Sequence, residues 1–326
     1  MLLYLYLNRH GIMRFIVAGL LVVMSVTAGI AQTNVMRFTD YAMVQPVVNP
    51  ACMGMEEGVA GLLLYRSRFE KSDYWPSTGV FNINSGIKGK NLGGGINLIY
   101  DKYGPYEKLF AYVAGSYKLK VNEGKFLFFG LQAGINYVSN AGNYKKYEEE
   151  VIFSDNYSQP NFGFGLHFQA DKYYVGLSIP EFRYNTINEE GQKVNSMMSN
   201  MLKVFLYGGY RFKIAENTQL EPYTWITYSG EENTMLDLGA KLIYKDSFIV
   251  GAQYRTEEAF AAMVRVRLTG DIWLGYAFEG NHSDIDNSFN SVQEIGLTFR
   301  FGGKKGTGSS TTSDEKYDDI KSIRYF

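Results

Sequence analysis

Five strand-length segments follow one another between Thr234 and Phe301 with almost nothing between them, and each alternates in side-chain character with a period of two. In TMLDLGAKLIY, residues Leu236, Leu238, Ala240, Leu242 and Tyr244 interleave with Asp237, Gly239, Lys241 and Ile243. SFIVGAQYR, AFAAMVRVRL, DIWLGYAFE and EIGLTFRF repeat the pattern, each with one greasy face and one face of Gly, Ala and charged residues. A period of two is strand geometry, because successive side chains point to opposite faces of a sheet. Two architectures use such strands. A soluble sandwich buries the greasy face as its core, whereas an outer-membrane barrel turns it to lipid and lines its lumen with the polar face.

The rest of the chain separates the two. Strand signals recur at hairpin spacing near 59–66, 79–87, 92–100, 109–120 and 125–138, and again in PNFGFGLHF, YYVGLSI, LKVFLYGGYRF and LEPYTWITY. Turns such as DKYGPYE and VNEGK divide them, and two longer polar loops cover about 139–160 and 180–199. About fourteen strands result, with short and long connections in mixture. A single antiparallel sheet of that width is stable only when it closes on itself, which also removes its edges. The 26 Tyr and 22 Phe are a heavy aromatic load, and 7 Pro against 35 Gly favours long strands over linkers. The fold class expected is therefore all-β, a transmembrane antiparallel β-barrel of about fourteen strands.

Residues 1–31 read as a secretory signal peptide: Arg9 and Arg14, an apolar run from Phe15 to Val26, and small residues Gly29 and Ala31 before Gln32. Translation beginning at Met13 instead of Met1 gives the more ordinary spacing. After Gln32 no apolar run reaches the roughly 18 residues a membrane helix needs. The domain plan is a signal peptide at 1–31, an N-terminal extension at 32–57, the barrel at 58–302 and a flexible tail at 303–326. QPVVNPACMG in the extension has two prolines and an Asn-Pro step that fix a non-helical backbone, suited to a plug or strap inside a barrel.

Catalytic and metal-binding constellations are not found. His167 and His282 have no ligand partner at metal spacing, and Gly93, Gly94 and Gly95 fall inside a strand pattern, not at a strand-to-helix turn. Hence no catalytic residue, metal or cofactor is assigned, and a non-enzyme is expected. The formal net charge of -1 gives no reason to expect nucleic acid. Cys52, the only cysteine, excludes an intrachain disulfide and is expected to be a small buried packing residue. On the wall, Arg255, Arg265, Arg267, Lys241, Asp237 and Glu279 fall on polar faces of neighbouring strands. They are expected to pair across a narrow, obstructed lumen.

These residues carry a resemblance. QPVVNPACMG resembles the Asn-Pro-Ala-x-x-Gly signature of the PorP/SprF family of type IX secretion system membrane proteins, which places Asn49, Pro50, Ala51 and Gly54 in the family motif. RSRFEKSDYWPST stands where that family has an Arg-containing strand followed by a Pro turn, here Arg66 and Pro76. GGGINLIYDKYGPYEKLFAYVAGSYKL, LFFGLQAGINY, PNFGFGLHF, LYGGYRF, VGAQYR, IWLGYAFE and SVQEIGLTFRF follow in the family's order. Phe69 replaces the family's usual Trp, and Gln293-Glu294 replaces its His-Glu step.

The resemblance implies a non-enzymatic component of the cell outer membrane. Its implied partners are outer-membrane lipid, periplasmic ring lipoproteins of the type IX apparatus, and secreted cargo proteins bearing C-terminal signals. The alternative is a passive porin or hydrophobic-ligand transporter. In the solvated tail, Arg324, Tyr325 and Phe326 stand together as candidate docking residues.

Overall fold

The computed structural model describes residues 37–69, 76–103, 106–140, 142–146, 149–153, 157–182, 203–229, 232–256, 259–283 and 288–302. Its strands are β1 (Gly58–Phe69), β2 (Ser77–Gly86), β3 (Leu92–Tyr103), β4 (Tyr106–Asn122), β5 (Lys125–Asn140), β6 (Gly142–Lys146), β7 (Glu149–Phe153), β8 (Tyr157–Ala170) and β9 (Tyr173–Ile179). They continue with β10 (Lys203–Tyr210), β11 (Phe212–Ala215), β12 (Thr218–Ser229), β13 (Glu232–Tyr244), β14 (Phe248–Arg255), β15 (Ala259–Thr269), β16 (Ile272–Ser283) and β17 (Ser288–Phe301).

Each barrel strand pairs antiparallel with its neighbours, and the ladder closes where β1 meets β17, from Val59↔Phe301 to Phe69↔Ser291. Because β11 only prolongs β10 past Arg211, and β6 and β7 form a separate hairpin, the closed barrel has fourteen strands. The β6–β7 hairpin lies inside the stretch read from sequence as an irregular polar loop. Its register sets Lys145 opposite Glu150 and Lys146 opposite Glu149.

Connections are sorted by end. The turns at 87–91, 123–124, 171–172, 216–217, 245–247 and 270–271 lie at the end where β1 begins and β17 finishes, and all are short. The 16-residue stretch 141–156, with its β6–β7 hairpin, belongs to the opposite end, where it stands beside connections of two or three residues between β3 and β4, β12 and β13, and β14 and β15; the mixture expected from sequence is confined to that rim.

The greasy faces point out. Leu131, Phe260 and Val113 are 71%, 66% and 65% exposed, values that bulk water would not sustain for a whole belt of such residues but lipid does. Phe162, Phe164, Leu166, Phe168, Leu297 and Phe299 all sit on this outward face. Among the described residues no helix is long and apolar enough to cross a membrane, so the wall itself is what spans.

The core lies inside the barrel. Phe38, Tyr41, Val44, Val47 and Val48 from the N-terminal extension form one buried cluster with Leu62, Leu64, Val80, Ile99, Phe205, Tyr207 and Trp225 from the wall. A barrel of this width filled only by its own side chains would leave voids. Here a segment of chain fills them.

Candidate functional site

The segment 37–57, called the strap below, is built to stay compact without a sheet partner. Asp40 accepts a turn bond from the Met43 amide at 3.1 Å. The non-helical backbone expected of this stretch is corrected: Gln45–Val48 form a single helical turn, because Pro46 sits in its first turn, where the missing N–H costs nothing and the fixed φ suits it. The Pro50–Cys52 3-10 turn follows, and the Asn49 side chain caps it by accepting from the Ala51 amide at 2.9 Å. Asn49 is fully buried, and its amide nitrogen also donates to the Leu166 carbonyl at 3.0 Å and the Tyr207 hydroxyl at 2.9 Å. One side chain therefore both shapes the strap and ties it to β8 and β10.

Strap and wall meet in three places. At the first, residues 38–40 lie against β14–β17 and are held by charged and polar side chains. Glu294 accepts the Thr39 and Asp40 amides at 2.6 and 3.1 Å, and Arg255 donates to the Phe38 carbonyl at 2.8 Å. Gln253 donates to the Thr39 carbonyl at 3.0 Å, and the Thr39 hydroxyl to Glu279 at 3.2 Å. The Arg265 fork grips the Asp40 carboxylate with both nitrogens, Nε at 2.6 Å from Oδ2 and Nη2 on Oδ1. Burial raises the Asp40 carboxyl, but Arg265 outweighs it and holds the group below the usual carboxylate range.

At the second, the Tyr41 ring stacks on Trp225 at 4.3 Å, and Trp225 stacks in turn on Tyr207 at 4.1 Å. His167 on β8 bonds Tyr207 at 3.0 Å through Nδ1 and Gln169 at 3.1 Å through Nε2. Cys52 is buried with its sulfur 3.5 Å from the Tyr207 hydroxyl, and burial pushes its thiol up to about 12.

The third contact rests on glycine. A methyl at Gly165 would overlap Asn49 Oδ1, and one at Gly130 would overlap the Pro50 carbonyl and the Ala51 amide. Inward-facing glycines thus form the seat of the motif turn. Gly54, at φ +60, turns the strap toward β1 with its amide donating to Asn84 at 3.1 Å, while Ser116 donates to the Met53 carbonyl and Ser178 to the Val48 carbonyl at 2.7 Å.

The motif residues Asn49, Pro50, Ala51 and Gly54 all lie in the strap. Arg66 joins them indirectly, at 3.1 Å from the same Glu294 that holds the strap amides. Pro76 does not: it sits at the foot of β2, where its carbonyl accepts from the Arg68 amide at 3.0 Å. Arg324, Tyr325 and Phe326 lie outside the described residues, as do residues 1–31.

The charged wall pairs differently in part from the sequence expectation. Arg255 on β14 bonds Asp237 of the adjacent β13 and reaches past β15 to Glu279 of β16, at 2.5 Å each. Lys241 instead faces Glu221 at 3.4 Å, and Arg267 lies over the Trp273 ring at 4.8 Å. Asp40, Tyr207, Trp225, Gly130 and Gly165 were not singled out by sequence, and Glu294 was noted only in the step that departs from the family; the signal for Gly130 and Gly165 was that they fall on inward positions.

Sorting the described strand residues by face leaves a charge imbalance on the wall. Counting only buried and half-buried side chains on the inward face, strand ends included, Arg66, Arg68, Lys108, Lys118, Lys203, Arg211, Lys241, Arg255, Arg265, Arg267 and Arg300 stand against Asp101, Glu181, Glu221, Asp237, Glu279 and Glu294. The strap is acidic in return, with Asp40, Glu56 and Glu57 against Arg37, and Glu56 bonds Arg300.

The fold is shared with solved outer-membrane channels. A structure titled CymD monoaromatic hydrocarbon channel matches with a TM-score of 0.54 at 12% identity, covering 84% of this chain and 96% of that one. One titled TodX deltaS2S3 mutant monoaromatic hydrocarbon channel matches with a TM-score of 0.51 at 9% identity, covering 85% and 97%. No curated protein matches the chain in sequence. The family model described as type IX secretion system membrane protein PorP/SprF matches residues 30–299, which takes in the strap motif and all of the barrel but the last residues of β17. This chain, a fourteen-stranded barrel whose Asn49 turn is seated on wall glycines, belongs to the PorP/SprF family of type IX secretion system membrane proteins.

Proposed function

We propose that this outer-membrane barrel works by contact: it docks the periplasmic ring lipoproteins of the type IX apparatus and so supports secretion or surface attachment of cargo proteins with C-terminal signals. The observation that carries this reading is the filled lumen. A strap bonded to β4, β8, β9, β10 and β14–β17 occupies the space through which a conduit would pass its cargo. Asp40 and Glu56 of the strap are bonded to Arg265 and Arg300 of the wall, and with the lumen filled the rims and the outer wall are the working surfaces.

The rim of short turns, next to the start of β1 and the end of β17, is the assigned periplasmic docking face. The tail carrying Arg324, Tyr325 and Phe326 leaves from that rim, and aromatic and Arg anchors of this kind suit a protein interface. Two experiments test the proposal. Deleting the gene is expected to leave C-terminal-signal cargo unsecreted or unattached, and normal surface cargo in a strain without a substituting paralogue would refute the function. Removing residues 314–326 is expected to weaken co-purification of a ring lipoprotein while the barrel keeps its heat-modifiable gel migration. Unchanged co-purification would refute the tail's part alone.

A further inference from the structure

We propose that the lumen wall carries a binding site for carboxylate anions, centred on Arg265, and that the Asp40 side chain is its built-in occupant in the resting molecule. Three observations converge on it. First, Arg265 meets Asp40 in the two-pronged geometry by which a guanidinium recognises a free carboxylate, with Nε at 2.6 Å from Oδ2. Second, the fork is held by the wall, not by the strap: Arg265 is buried on β15, two residues from Met263, and Lys241 of β13 adds a second cation to the same region. Third, inward-facing cations outnumber inward-facing carboxylates on the wall, and the strap makes up part of the difference. The short acidic side chain that the strap delivers is then one member of a class of ligands. Acetate, formate or a peptide carboxylate present the same two oxygens to the fork.

The assignment goes beyond docking at the rims and stands or falls separately from it. Chemical complementation tests it in the full-length protein. Asp40→Ala removes the occupant, and is expected to raise the rate at which maleimide labels Cys52, the lone thiol in the strap. Sodium acetate is expected to return that rate toward the wild-type value, whereas sodium chloride at the same ionic strength is not. Adding Arg265→Met should abolish the acetate effect. Equal effects of acetate and chloride, or an Asp40→Ala rate equal to wild type, would overturn the proposal.

Should Asp40→Ala fail to assemble by gel migration, the wild-type protein serves instead. In urea at which Cys52 labels while the barrel's migration is unchanged, sodium acetate is expected to speed labelling by competing with Asp40 for the Arg265 fork. Sodium chloride at the same ionic strength is not, and Arg265→Met should remove the difference. Equal labelling in acetate and chloride would overturn the proposal.

Discussion

Gly130→Ala should unseat the strap without touching the lipid face. The added methyl would lie within the space of the Pro50 carbonyl and the Ala51 amide, both backbone, so no side-chain rotation relieves it. Restoring carbon contacts to about 3.5 Å requires the 3-10 turn to move by roughly 1 Å or more. Such a shift breaks the hydrogen bonds of Asn49, which accepts from Ala51 at 2.9 Å and donates to Leu166 at 3.0 Å and Tyr207 at 2.9 Å. At about 0.5 to 1.5 kcal/mol for each of these bonds, strap seating weakens by about 2 to 4 kcal/mol.

The native thiol of Cys52 reads this out. In the seated strap it is buried, and with its thiol pushed up to about 12 it reacts slowly at neutral pH. Tenfold per 1.4 kcal/mol converts the loss into maleimide labelling about 30-fold to several-hundred-fold faster. Gly79→Ala is the control, since a methyl there meets nothing within 4 Å. If Gly130→Ala and Gly79→Ala label at the same slow rate, the strap does not rest on Gly130 as described.

Three other perturbations have defined outcomes. Leu297→Arg places a charge on the outward face near mid-strand and should cost about 2 to 4 kcal/mol of barrel stability in urea unfolding from vesicles, and the same stability as wild type would reverse the face assignment. Gly296→Ala, which from sequence alone ought to be mild, instead sets a methyl against Met43 and should speed Cys52 labelling modestly, because a methionine end can yield.

Arg255→Met leaves the Asp237 and Glu279 carboxylates buried without the guanidinium that bonds both, and should lower stability by about 3 to 5 kcal/mol; a loss below 1 kcal/mol, typical of an exposed pair, would contradict it. For Asp40, a folded value below the unfolded one of about 3.9 means that its contribution is complete at neutral pH. That contribution declines as acid takes the pH through about 4 and below. Fluorescence of Trp225, sandwiched between Tyr41 and Tyr207, should change over that window in wild type and not in Asp40→Asn.

The barrel was legible because its physics is local. Alternation at Leu236 to Tyr244 or Phe260 to Leu268 needs no partner strand to be recognised, and the faces it assigns are those found. Interior pairing was harder. Arg265 was read against carboxylates on adjoining strands, yet its partner Asp40 lies 225 positions away in a segment with no period at all. Glycine was the other blind spot: alternation sets Gly130 inward and Gly79 outward, but it does not show that the Pro50 backbone rests on Gly130.

The distances along the chain between strap and wall also set an order of biogenesis. The strap is synthesised first but its partners are not: Thr39 waits for Glu294, 255 residues later, and Asn49 for Tyr207, 158 later. Contacts of such separation carry a large closure entropy and form only when the intervening chain is already ordered. Glu294 belongs to β17, the strand that seals the seam with β1, so the strap is captured at the moment of closure or after it. A refolding time course should show heat-resistant barrel migration no later than Cys52 protection, and a protected thiol in a barrel still open would reverse that order.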